Sequence, residues 1–252
     1  MNGCSAEKGW GFNSDAEMLT LDDLKLFDLQ LFQPRHGYRY SLDPLLLARF
    51  CAEVKQGGRI ADLGAGCGII SLVLARINQS ATLLAIENNL EMAELISRNT
   101  RHNGLESRVS VLADDVINLR GSYADSTFDL VVSNPPFRSA GSGRISPRAG
   151  RDAARHETTA ALADFIAAAK YLVKPSGRIC FIQLPSRLPE FMALAAGMKL
   201  SVLRLRMIHG NAASPATMFM AELAKGRRTA PVVEPPLFVR DMAGEYTDEV
   251  WR

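Results

Sequence analysis

The apolar positions of the chain fall into two regimes. From Leu24 to Phe32 they crowd at 24, 26, 27, 29, 31 and 32, and Leu29 and Leu31 flank Gln30 with the period of a strand. Gln33-Pro34-Arg35-His36-Gly37 then supplies turn residues, which predicts a hairpin whose return strand is Tyr38-Arg39-Tyr40. Ser41 is a good helix N-cap, Asp43 sits in the first turn and Pro44 is tolerated there, so a helix is expected through Leu45, Leu46, Leu47, Ala48 and Phe50 to about Val54.

From residue 59 the pattern alternates between short β-branched runs and stretches of helical period. Strands are expected at 59–63, 82–86, 109–112, 128–133, 178–184, 200–208 and 218–224. Helices are expected at 69–77, 90–103, 158–173 and 189–198, the second closed by Gly104. Strands alternating with helices predict an α/β fold: a mostly parallel sheet, here seven-stranded, with helices on both faces. Residues 1–18 are polar and glycine-containing and are expected to be flexible.

One strand ends unusually. The apolar run Phe128–Val132 leads into Ser133-Asn134-Pro135-Pro136-Phe137. Neither proline carries an N–H for the ladder, and each restricts the residue before it, so the strand must stop. Its carboxyl end, where open α/β sheets bind ligands, then presents an amide, free carbonyls and an aromatic ring. That set suits a planar amine. Amide and carbonyl oxygens accept its N–H groups while the ring stacks on its heterocycle.

Asp62-Leu63-Gly64-Ala65-Gly66-Cys67-Gly68 joins the first core strand to a helix, and glycine there lets backbone N–H groups approach a ligand at the helix N-terminus. Glu87, followed by Asn88, ends the next strand, where a carboxylate can take both ribose hydroxyls of a nucleoside. Asp114 and Asp115 end the third, in reach of an adenine amino group in this topology. These features alone fit nicotinamide and methionine-derived cofactors equally.

Composition changes little. The 252 residues are 47% hydrophobic and 22% charged, with a formal charge of +2 that calls for no polyanion except at a local patch. Cys4, Cys51, Cys67 and Cys180 are widely separated with no CxxC pair, which disfavours zinc or a disulfide framework and predicts reduced thiols and a cytoplasmic location. No metal site is expected. No run reaches the roughly 18–20 apolar residues of a membrane span, and the first residues lack a signal peptide's apolar core.

In order and spacing, Asp62–Gly68, Glu87, Asp114/Asp115 and Asn134–Phe137 resemble the S-adenosylmethionine-dependent methyltransferases that act on exocyclic or amide nitrogens. Gln33-Pro34-x-x-Gly37-Tyr38-Arg39-x-Ser41-x-Asp43, Ala154-Arg155-His156-Glu157-Thr158 and Gly244–Glu249 further resemble the bacterial tRNA adenine-N6 methyltransferases that modify an anticodon-loop adenine of a valine tRNA. The resemblance implies a Rossmann-like class I fold with S-adenosylmethionine as cofactor and tRNA, not DNA or membrane, as partner. It implies a hairpin-and-helix cap at 19–56 over a catalytic domain at 57–252. Asn134, Pro135, Pro136 and Phe137 would be catalytic, with Asn134 Oδ1 and the Pro135 carbonyl accepting from the target NH2. Tyr38, Arg39, Asp43, Asp62, Gly64, Ala65, Gly66, Gly68, Glu87, Asn88, Asp114, Asp115 and Asn134 would line the cofactor.

Between Arg138 and Arg155, five arginines (Arg138, Arg144, Arg148, Arg151, Arg155) stand against Asp152, a net +4 directly after the tetrapeptide. Such a stretch is suited to RNA phosphates. Glutamine-modifying relatives usually end the tetrapeptide in Tyr and carry a larger N-terminal domain. Guanine-N2 enzymes often duplicate the domain, and DNA enzymes add a recognition domain for which no residues are spare. A non-catalytic RNA-binding module would have no need of intact glycines, Glu87 and Asn134.

Overall fold

The computed structural model describes residues 19–35, 41–51, 54–136, 160–227 and 229–251. A two-stranded hairpin opens it: β1 (Leu19–Leu24) pairs antiparallel with β2 (Leu29–Pro34), from Leu24↔Leu29 to Leu19↔Pro34. The hairpin therefore turns at Lys25–Asp28, through one 3-10 turn and Asp28 at φ 51°, within the stretch expected to be a single strand. Leu24 closes β1 instead of opening a strand that runs to Phe32. The reason is Asp28, which adopts the left-handed conformation more readily than most residues and breaks the apolar run in two. The expected return strand 38–40 lies outside the described residues. Helix α1 (Asp43–Phe50) follows; its N-cap is Leu42, and Ser41 sits one position earlier, its hydroxyl 2.8 Å from Asp43 Oδ2.

The main sheet comprises β3 (Arg59–Leu63), β4 (Thr82–Glu87), β5 (Val109–Ala113), β6 (Phe128–Ser133), β7 (Val173–Gln183), β8 (Leu200–His209), β9 (Ala216–Lys225), β10 (Val232–Val233) and β11 (Leu237–Phe238). Its order is β10-β8-β9-β7-β6-β3-β4-β5, with β11 also on β8. All pairs are parallel except β7–β9 and β8–β9. The sheet has nine strands, not seven. The two extra ones are two-residue segments on the outer edge of β8, too short and too exposed at Val232 and Val233 to show a period. β7 also begins earlier than expected, at Val173, because Lys174–Gly177 continues the extended chain past a bulge opposite Phe128–Leu130.

Helices α2 (Ile69–Ile77) and α3 (Leu90–His102) cover one face with α1 and the hairpin, while α4 (Leu119–Ser122), α5 (Leu162–Leu172) and α6 (Leu188–Gly197) cover the other. A short α7 (Asp248–Trp251) ends the described chain. The first face buries Leu29, Leu31, Leu47, Leu72, Leu130 and Ile182; the second buries Phe165, Phe181, Phe191 and Phe219, whose last three rings meet edge to face. Hairpin and α1 thus share one core with the sheet. β2 is held from outside by two asparagines one turn apart, Asn99 on α3 and Asn103 at its end. Asn99 exchanges bonds with Phe32 N and O (2.7 and 3.0 Å), and Asn103 does the same with Gln30 (2.9 and 2.7 Å). Among the described residues, no helix is long and apolar enough to cross a membrane.

Candidate active site

At the carboxyl end of β3 the chain turns through Gly64, Gly66 and Gly68, all at positive φ (67°, 58° and 86°). A Cβ on Gly64 would press on the Phe165 ring at 3.1 Å and one on Gly68 on Ile96 at 3.0 Å, so tight packing adds to the positive φ that favours glycine at both. At Gly66 a Cβ would meet nothing within 4 Å. The loop faces open space there, as a ligand-facing turn must.

Glu87 stitches this loop to the next. One carboxylate oxygen accepts the Gly66 N–H (2.8 Å) and the other the Asn89 N–H (3.0 Å), which fixes the group at the carboxyl end of β4 with a second lone pair on each oxygen. The neighbouring acids diverge. Asp114 turns into its own loop, taking bonds from Ser122 Oγ (2.6 Å), Asn118 Nδ2 (3.3 Å) and Asp115 N (2.8 Å); the Ser122 bond is the main reason that its carboxyl lies below the usual range. Asp115 accepts instead from Asn88 Nδ2 (3.2 Å), beside Glu87, and from Ile117 N (3.0 Å).

Asp62 is buried inside β3. Its Oδ2 accepts from the Ser71 N–H (3.1 Å) and hydroxyl (2.8 Å) at the start of α2, while Oδ1 has no hydrogen-bond partner among the described residues. Burial pushes its carboxyl up to about 7, against the two Ser71 bonds and with a small push from the Glu87 charge. An orphaned acidic oxygen here fits the cationic amino-acid end of S-adenosylmethionine. The residues present therefore suit the cofactor that the resemblance implies.

On β6, Ser133 Oγ donates to Leu63 O (2.8 Å) and ties the strand end to β3. Asn134 follows, and its Oδ1 is the second orphan: buried, with no partner among the described residues. Continuing the strand alternation, Asn134 lies on the same face as Asp62 and Val132, one strand away. Pro135 is buried and Pro136 exposed. The Pro135 carbonyl accepts from Nε2 of Gln183 (3.3 Å), at the end of β7.

The structure thus gathers Asp62, Gly64, Ala65, Gly66, Gly68, Glu87, Asn88, Asp115, Asn134, Pro135 and Pro136 at the carboxyl ends of β3, β4, β5 and β6. Asp114 is turned away from this group. Asp43 begins α1, bonded to Ser41. Tyr38, Arg39, Phe137, Arg138, Arg144, Arg148, Arg151 and Arg155 lie outside the described residues, as does Cys4; Cys51, Cys67 and Cys180 are free and buried. Sequence reasoning missed Ser71, Ser133, Asn99 and Gln183. Gln183 had a visible signal, a polar residue closing the buried run Ile179–Ile182.

Residues 43–195 match the methyltransferase small domain. A tRNA1(Val) (adenine(37)-N6)-methyltransferase of Porphyromonas gingivalis is 32% identical over 186 residues, 72% of this chain and 71% of that protein. The enzyme of that name from Cronobacter sakazakii is 31% identical, over 68% and 69%. The crystal structure of a predicted O-methyltransferase from Agrobacterium tumefaciens superposes with a TM-score of 0.68 at 24% identity, covering 82% of this chain and 94% of that one, which shows a shared fold. The chain belongs to the methyltransferase small domain family, and its methyl donor is S-adenosylmethionine.

Proposed function

We propose that the protein methylates the exocyclic N6 of an adenine in tRNA, the anticodon-loop adenine 37 named in its relatives. The observation that carries this reading is the orphaned Oδ1 of Asn134 next to the Pro135 carbonyl, two neutral acceptors in a stretch, Ser133 to Pro136, that carries no charge. The amine of adenine is a poor nucleophile because its lone pair is delocalised into the ring. Two acceptors that take its N–H groups favour a tetrahedral nitrogen and aim the lone pair outward. Bound S-adenosylmethionine supplies an electrophilic methyl on sulfur. Placement within roughly 3–3.5 Å then provides most of the rate, and no strong base is required beforehand. The nitrogen, acidic once it has gained its fourth bond, gives its proton to water.

Glu87 would hold the ribose hydroxyls, Asp115 with Asn88 the adenine edge, and Asp62 Oδ1 the amino-acid end. Tyr38, Arg39 and Asp43 would close the pocket from the front. Phe137 would stack on the target base, an interaction worth about 1–3 kcal/mol, once the base has left its loop stack. The five arginines would meet RNA phosphates. A tRNA substrate also implies a cytoplasmic protein. The test is transfer of a labelled methyl group to tRNA, ribosomal RNA and a release-factor protein in parallel, with Asn134→Ala beside the parent. Label in tRNA that disappears with the variant supports the reading; label in either other substrate overturns it.

A further inference from the structure

The two prolines that end β6 also strip it of donors. Neither Pro135 nor Pro136 has an N–H, so the ladder that fixes every other part of the strand cannot fix the Pro135 peptide. Something else must orient a carbonyl that the proposed transfer uses as an acceptor. The sheet register shows what does. Ser133 lies opposite Phe181 in the parallel β6–β7 pair, which puts Gln183 beside Pro135, two residues further on. Gln183 is fully buried, its Nε2 donates to Pro135 O at 3.3 Å, and its Oε1 is itself held by the Leu184 N–H at 3.3 Å. The amide is thus clamped at one end and clamps at the other.

We infer that Gln183 is a positioning residue for methyl transfer: it occupies one lone pair of the Pro135 carbonyl and leaves the second directed at the incoming amine. This rests on the proposed role of Asn134 and Pro135 but adds a side chain that touches neither substrate nor cofactor. A buried glutamine serving packing alone would behave differently, because loss of packing would loosen cofactor binding and turnover together.

The experiment compares Gln183→Met and Gln183→Glu with the parent, using unmodified tRNA1(Val) transcript as substrate. It reads steady-state turnover, calorimetric S-adenosylmethionine affinity and melting temperature. Gln183→Met keeps the length and removes the donor; kcat should fall about tenfold, the worth of one oriented hydrogen bond, with KM for tRNA and cofactor affinity within about twofold of the parent's. Gln183→Glu should show a rising ratio of its kcat to the parent's as pH falls, because only a protonated carboxyl can donate to Pro135 O. A kcat for Gln183→Met within twofold of the parent's, an equal fall in cofactor affinity, or a ratio for Gln183→Glu that stays low at every pH would each overturn the inference. Asn134→Ala, run alongside, separates the two failures. If it stays active, the site reading itself fails; if it is inactive while Gln183→Met is normal, only the role of Gln183 does.

Discussion

The two halves of the sheet's carboxyl edge are built from different chemistry. Along β3, β4 and β5 the strand ends carry acids: Asp62 buried in the sheet, Glu87 wired to two loops, and the Asp114–Asp115 pair. Along β6 and β7 they carry a hydroxyl, two amides and a tertiary carbonyl, with no charge from Ser133 to Pro136 or at Gln183. The acidic half suits hydroxyls and an ammonium group, which carboxylates bind strongly through charge-assisted bonds. The neutral half suits an uncharged aromatic amine. A carboxylate there would add electrostatic attraction for cations, whereas neutral acceptors select by geometry. Each half contains one buried oxygen without a partner among the described residues, Asp62 Oδ1 and Asn134 Oδ1. Leaving such an atom unpaired costs roughly 1–3 kcal/mol, a cost consistent with a ligand that supplies the missing donor.

The sharpest way to break this contrast is to remove the neutral acceptor. Asn134→Ala should lower kcat by about 10²–10³-fold, comparable to removing one group that stabilises a transition state, while calorimetric cofactor affinity stays within a few fold. In the acidic half the pattern should invert. Glu87→Gln should weaken S-adenosylmethionine binding about 10–100-fold, the range of a bond to a charged group, with turnover at saturation much less affected. Titration calorimetry and saturating kinetics on the same preparations measure both.

Asp62 sharpens the comparison through pH. Its folded-state value of about 7 lies above the ordinary 3.8, so between these values the folded chain holds a proton that the unfolded chain has lost. Stability from this group is therefore full below about 4, falls as pH rises toward about 7, and is level beyond. Binding of a cationic amine needs the carboxylate, so cofactor affinity should fall as pH drops below about 7, by up to about tenfold per unit, with proton release on binding. Asp62→Asn should abolish that slope in calorimetry repeated in buffers of different ionisation heat.

A smaller effect belongs to the opposite end of the sheet, where Asp129 receives the Arg59 N–H (3.0 Å), Lys174 (2.9 Å) and Lys55 (2.9 Å). Burial alone would raise its carboxyl, but these three partners outweigh it and bring it down to about 2. Asp129→Ala should cost about 1–2 kcal/mol in denaturant unfolding and leave cofactor affinity unchanged. Stability from this group is present above the ordinary 3.8 and is lost as pH falls toward about 2. Smallest of all in the absence of RNA is the arginine stretch. Changing Arg144, Arg148 and Arg151 to alanine should leave cofactor binding untouched and reduce the salt dependence of tRNA affinity, by roughly 0.7–0.9 in the log–log slope for each phosphate no longer neutralised.

The sequence was most readable where one physical rule acted alone. Arg59–Leu63, Ile69–Ile77 and Phe128–Ser133 have the expected bounds, because mainly apolar segments flanked by glycine or proline signals leave little freedom. It was least readable where a single backbone conformation decided the outcome. Asp28 at positive φ sets a hairpin turn inside a stretch that reads as one strand, and the edge strands β10 and β11 exist only because β8 offers them a partner. In the site, residue types marked the acids and Asn134. Which of Asp114 and Asp115 turns toward Asn88, and that Gln183 reaches Pro135, follow from tertiary hydrogen bonds that sequence periodicity does not encode.

On the proposed reading, Asn134 and Pro135 present a neutral pair of acceptors to an exocyclic adenine nitrogen. Its most direct test is nucleoside mass spectrometry on unmodified tRNA1(Val) transcript after incubation with protein and methyl-labelled S-adenosylmethionine. The account predicts label in N6-methyladenosine with the parent and none with Asn134→Ala. Label on a ring nitrogen or in a guanosine, or N6-methyladenosine formed equally well by the variant, would contradict it.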